Sequence, residues 1–191
     1  MPLVYEEVRQ RLVEEKKKTE VRPKIGLLST GHFRYWPQFP KLKAMGLKMY
    51  EELLAMVGQW AEIVVPALVD TAERAARAGD LFRQNPVDMV LIFPLGYTTS
   101  MMIIPAVYDL DVPIRLLNAH VDRTYDYATA DTTIYLYHEG VCCIPEYAGA
   151  LVNIGKSFKV RTGCFDDPRL QRQKNHASKC RSTCDRSLVV Q

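Results

Sequence analysis

Along this chain, short apolar runs of strand length alternate with longer stretches in which apolar residues recur every three or four positions. Residues 24–29 (KIGLLS) are apolar on both alternating sets of side chains, the pattern of a strand buried on both faces. Leu42, Met45, Met49, Leu53, Met56 and Val57 then keep helical spacing over 42–60, and residues 61–65 (AEIVV), closed by Pro66, read as a second strand. Asp70 with Glu73 three residues later resembles a capping box, here with Asp for the usual Ser or Thr, opening an Ala- and Arg-rich helix that Asn85-Pro86 ends. Residues 88–93 (DMVLIF) form a third strand, after which Thr98 or Thr99 is placed to cap a helix running to about Asp109. A fourth strand covers 111–117 (DVPIRLL), a helical region interrupted near Pro145 covers 132–154, and a fifth strand covers 158–162.

This alternation of strand and helix predicts an α/β fold: a doubly wound, mostly parallel five-stranded sheet of the flavodoxin-like or Rossmann-like kind. Ahead of it, Leu3, Val4, Val8, Leu12 and Val13 keep helical spacing over 3–18 with a basic end, so residues 1–23 are expected to form an outer helix capping the domain. The domain itself is assigned to 24–167. After Asp167 the periodicity stops, although a fifth strand is normally followed by an amphipathic helix that covers the sheet. Residues 168–191 read as foreign to the fold, a frameshifted or misassembled C-terminus, with a disordered basic tail as the alternative.

Composition agrees with one ordinary core: 191 residues, 48% of them hydrophobic. No run approaches the roughly 18 apolar residues of a bilayer span, and the charged start of the chain is unlike a signal peptide, so the expectation is a cytoplasmic protein without a membrane partner. The formal charge of +3 is concentrated in 168–191, where six Lys or Arg face one Asp; the remainder carries −2. A nucleic-acid partner is therefore not expected, because the body has no basic surplus to neutralise phosphates. Five cysteines make no disulfide framework, and His176, Cys180 and Cys184 lack the fourth ligand of a zinc site.

Three polar clusters stand directly behind apolar runs: Ser29-Thr30-Gly31-His32, Leu95-Gly96-Tyr97-Thr98-Thr99 and Asn118-Ala119-His120-Val121-Asp122. Open parallel sheets bind ligands at the carboxyl ends of their strands, so these clusters mark the expected site. The first loop gathers His32, Arg34, Tyr35 and Trp36, rings beside donors, which suits a sugar that stacks its C–H face and hydrogen-bonds its hydroxyls. The same rings also suit packing beneath the next helix. Neither G-x-G-x-x-G nor G-x-x-x-x-G-K-[ST] follows the first strand, so a phosphate or dinucleotide cradle is missing. Flavin binding through Ser29-Thr30-Gly31 is kept as an alternative. His120 sits at a strand end with Asp122 and Arg123 nearby, whereas His138, within a helical stretch, reads as structural. No Ser or Cys stands at a nucleophile elbow, and no catalytic residue is assigned.

These segments resemble the N-terminal region of the L-arabinose and L-fucose isomerases. Residues 29–35 (STGHFRY) are similar to the family's T-G-S-Q-H-L-Y-G, and residues 117–124 (LNAHVDRT) to its L-H-T-Q-F-N-R-D, with His120 where Gln usually stands. Residues 138–148 are similar to its N-Q-S-A-H-G-D-R-E-F-G, best at Glu146-Tyr147, and residues 96–102 to its T-F-S-P-A-K-M. The resemblance covers 24–167 and rests on order and spacing more than identity; the departures at His120, Cys142 and Cys143 point to a divergent branch.

It implies an aldose–ketose isomerase acting through carboxylates around a divalent metal, usually manganese, in a homo-oligomer. It further implies that this N-terminal part holds no metal of its own and contributes a wall of the sugar site, with His32, Tyr35, Trp36, Tyr97 and His120 facing substrate. On that reading the chain is a truncated isomerase subunit, inactive alone. A deleted remainder is expected to leave an apolar interface that includes Met101, Met102, Ile103 and Ile104. The alternative is a stand-alone module binding a sugar or flavin without chemistry.

Overall fold

In the computed structural model, which describes residues 22–124 and 126–167, the first apolar run becomes strand β1 (Lys24–Thr30), buried from its second residue to its last. The helix expected over 3–18 and the tail over 168–191 lie outside the described residues. A single turn, α1 (Tyr35–Gln38), leads into the long helix α2 (Pro40–Gly58), then β2 (Glu62–Val64) and α3 (Ala72–Gln84). The chain continues through β3 (Met89–Pro94), a 3₁₀ turn (Ser100–Met102), α4 (Ile104–Val107) and β4 (Ile114–His120). Helices α5 (Thr132–His138) and α6 (Gly140–Asn153) precede β5 (Phe158–Cys164).

The five strands form one sheet in the order β2-β1-β3-β4-β5, and every pairing is parallel. This is the flavodoxin-like order: the chain leaves β1 toward β2, then returns to the other side of β1 to build β3, β4 and β5. The crevice at that reversal, between the carboxyl ends of β1 and β3, is the usual ligand position of such sheets.

Alternate side chains along each strand feed two separate cores. Ile25, Leu27, Met89, Leu91, Phe93, Leu117 and Ala119 face α2 and pack with its Met49, Leu53 and Val57. Leu28, Val90, Ile92, Ile114 and Leu116 face the opposite way, toward Phe82 of α3, Val107 of α4 and Tyr147 and Leu151 of α6. Helices thus cover both faces, as a parallel sheet with apolar residues in both registers requires. No helix among the described residues is long and apolar enough to cross a membrane.

Three local expectations change. The cap of α3 is Thr71, whose side chain accepts from the Arg74 N–H, because Asp70 is engaged elsewhere. The helix expected over 98–109 is a 3₁₀ turn followed by the short α4, with Pro105 in its first turn where a missing N–H costs nothing. Gly79 lets α3 press against it: a Cβ there would stand 2.9 Å from the Ala106 carbonyl oxygen. The break in 132–154 falls at Glu139, not at Pro145, which stays inside α6. Leu136 explains the place, since its carbonyl turns to accept the Tyr97 N–H from the loop after β3 (3.2 Å).

The apolar interface expected at 101–104 is largely absent. Met102 and Ile103 are buried in the core and Ile104 packs against it, leaving Met101 as the exposed member of the four.

Candidate functional site

At the crevice between β1 and β3, the polar groups bond to one another. The Thr30 hydroxyl meets the Tyr147 hydroxyl at 2.9 Å, the Thr98 hydroxyl donates to the Gly31 carbonyl at 2.8 Å, and the Thr98 N–H donates to Cys143 Sγ at 3.1 Å. The Cys143 thiol lies 3.4 Å from the carbonyl oxygens of Gly96 and Thr98. Burial pushes the Cys143 thiol up to about 12 and raises the Tyr147 phenol well above its ordinary value, so both stay protonated. The Gly31 N–H donates to the Val69 carbonyl. Thr30, Gly31, Thr98, Cys143 and Tyr147 thus hold one another across the crevice.

Above it, the loop after β1 forms an aromatic lid. The rings of His32 and Tyr35 lie 5.1 Å apart, and Tyr35 meets Tyr97 edge-on at 6.1 Å. Trp36 folds back over Gly31, where a Cβ would stand 2.4 Å from the indole, and donates through Nε1 to Asp70 Oδ2 at 2.9 Å. Asp70 is buried and also accepts from Arg74 at 2.6 Å, so Trp36 is locked by a charged partner. Burial, and then the Arg34 charge, lower the pKa of His32; Asp70 opposes them. At neutral pH the His32 imidazole is uncharged.

The open space lies farther along the sheet, at the end of β4, in a cleft of about 650 Å³. His120, Asp122, Tyr127, Tyr135, His138 and Glu139 are among the residues that line it. The His120 and His138 rings stack with centroids 5.8 Å apart and planes 29° apart, and His138 Nε2 lies 3.3 Å from Asp122 Oδ2. Burial lowers the His120 pKa, with His138 adding to the effect and Asp122 opposing it. Arg123 is bound in a fork to Asp166 at 2.9 and 2.8 Å, so its charge is already answered. Asp131 caps α5 by accepting the Ile134 N–H at 2.9 Å. Imidazoles, phenol rings and carboxyl groups thus surround the cleft, groups that hydrogen-bond hydroxyls and stack on apolar faces.

The five residues expected to face substrate separate into two places. His32, Tyr35 and Tyr97 form the aromatic lid, Trp36 beside them is held against Gly31 and Asp70, and His120 alone lines the cleft. His138, whose helical setting suggested a structural part, brings its ring onto His120. Tyr135, Glu139 and Cys142 line the cleft with it, and Tyr135, His138, Glu139 and Cys142 follow the spacing i, i+3, i+4, i+7. That spacing was a readable signal, since one face of a helical stretch carries all four.

Among the described residues, no three His, Cys, Asp or Glu side chains converge as a ligand set for a metal ion. The described donors therefore do not by themselves fit a manganese site. No protein-family model matches this chain, and no curated protein matches it.

Proposed function

We propose that this chain is a sugar-binding domain of the aldose–ketose isomerase kind, N-terminal in such an enzyme. It lends a wall of the sugar site and an oligomer contact, and the manganese of the reaction is held by residues other than those described. The cleft at the end of β4 carries the reading: the neutral His120, stacked on His138, lines it together with Asp122, Tyr127 and Tyr135, the hydrogen-bonding and ring-stacking groups that suit a polyhydroxylated ring. Flavin is the weaker ligand, because the Thr30 hydroxyl and the Gly31 N–H that a first-loop cradle would use are bonded inside the protein.

A second reading, a stand-alone binding module, has one observation in its favour. The residues that line the cleft fall within 120–142 of one chain, so a ligand there needs no neighbouring subunit.

Saturation-transfer NMR with L-arabinose and L-fucose, paired with an assay for ketose in the presence of manganese, separates these readings. The domain reading expects weak sugar binding that His120→Ala abolishes, and no ketose. Tight binding without turnover supports the module, robust ketose formation by the purified chain overturns both, and absence of sugar binding overturns the choice of ligand.

A further inference from the structure

The covering layers thin out at the last strand. Leu116 and Leu117 of β4 are buried, whereas Lys159, Val160, Arg161 and Thr162 of β5 are all exposed, Val160 to 42%. β5 is also an edge of the sheet: it pairs with β4 on one side, and among the described residues no strand lies on the other. The opposite edge is blunted by its length, since β2 has three residues, but β5 has seven and offers a row of backbone N–H and C=O groups to a further strand. Lys159 and Arg161 stand in register with Arg115 and Leu117, and Leu117 belongs to the core under α2, so both charges lie on that face. Val160 and Thr162 lie on the other face, beside Leu116 and Asn118. β5 carries no carboxylate.

We propose that the open edge of β5 takes an extended acidic segment of another protein as a sixth strand. In such strand addition, main-chain hydrogen bonds supply the affinity and alternate side chains the selectivity. A segment with Asp or Glu at every second position sets carboxylates beside Lys159 and Arg161, and the apolar residues between them cover Val160. Charge decides against the other occupants. A second copy brings its own Lys159 and Arg161 to the edge, like charges that destabilise a strand pair. Residues 168–191, with six Lys or Arg against one Asp, are repelled in the same way. Residues 1–21 balance five Glu with five Lys or Arg, and their apolar positions follow the spacing of a helix rather than the alternation of a strand. Basic side chains keep an edge strand from pairing with edges like itself; toward an acidic strand the same charges attract. The cleft at the end of β4 takes no part, so this proposal stands apart from the sugar reading.

The test follows the fluorescence anisotropy of a labelled peptide of alternating Glu and Val as the purified full chain is added. We expect saturable binding that is at least roughly tenfold weaker with the double variant Lys159→Glu/Arg161→Glu, because two favourable cross-strand pairs become two repulsive ones. A twin peptide with Lys for every Glu reverses the preference and binds the variant better, which also shows the variant to be folded. A twin methylated at every peptide nitrogen, which keeps the charges and removes the main-chain donors, binds neither chain. Absence of saturation up to about 1 mM overturns the proposal, and so does equal binding of the methylated twin, which leaves attraction of charge without strand addition. Sedimentation of the wild type as a dimer that the double variant breaks overturns it in favour of a second copy.

Discussion

Thr30, the last residue of β1, and Tyr147, in the middle of α6, meet hydroxyl to hydroxyl at 2.9 Å with both side chains fully buried. The bond joins segments 117 residues apart and closes the crevice in which such sheets usually bind ligands. Tyr147→Phe removes one hydroxyl and strands the other away from water. We expect a loss of about 1–3 kcal/mol, read as a lower urea midpoint at unchanged slope. An unchanged midpoint would show that the bond contributes nothing net.

Two glycines in helices give opposite expectations. Gly79→Ala drives a methyl to within 2.9 Å of the Ala106 carbonyl oxygen and 3.0 Å of that of Pro105, backbone atoms that cannot rotate aside. A cost of about 1–3 kcal/mol is expected despite the better helix propensity of Ala. Gly149→Ala in α6 meets nothing within 4 Å and should stabilise by roughly 0.5–1 kcal/mol. Thermal melts of the two variants side by side check the sign of each.

Cys143 and Cys142 are neighbours in sequence with different chemistry. Cys143 is buried against Thr98 and Gly96, its thiol pushed up to about 12 by desolvation, while Cys142 is exposed beside the cleft and is raised chiefly by its hydrogen bond to Glu139. Iodoacetamide at mildly alkaline pH should modify Cys142 slowly and leave Cys143 untouched until urea unfolds the chain. Mass spectrometry of the peptide containing both reads the result; early double labelling would contradict the buried position.

Acid should weaken the fold partly through His120. Its folded pKa lies below the unfolded value of 6.5, so between those values the unfolded chain binds more protons than the folded one. The stabilising preference for the neutral ring is complete above 6.5 and is lost as pH falls through the window beneath it. His32 shifts in the same direction and adds to the slope. Unfolding free energies from pH 8 to pH 5 should decline in the wild type and decline less steeply in His120→Asn. Parallel curves would sink this assignment.

The architecture was legible because its signals are local. Ile25 to Leu28 and Met89 to Phe93 are free of charged residues in both registers, and Ile114 to Leu117 is broken only by Arg115, which marks strands covered on two faces wherever the rest of the chain lies. Element ends were less legible where a distant group intervened. Asp70 was the expected cap until Trp36, 34 residues earlier, claimed its carboxylate and left the work to Thr71. Pro145 was the expected break, but the Tyr97 N–H takes the Leu136 carbonyl and shifts the break to Glu139. The two histidines of the cleft were visible singly, yet their pairing depends on α5 returning over the end of β4.

The sequence by itself determined the alternation of strand and helix, the apolar faces that build two cores, and the placing of polar clusters behind three strands. Those features follow from the periods of a strand and of a helix, which each segment carries within itself. Only the tertiary structure decided which cluster became interior and which became cleft. Thr30 and Thr98 were spent on Tyr147 and on the Gly31 carbonyl, whereas His120 received the ring of His138 and kept an open space before it. A polar group's fate depends on which distant partner reaches it first, and that choice is made when the sheet and its helices close together.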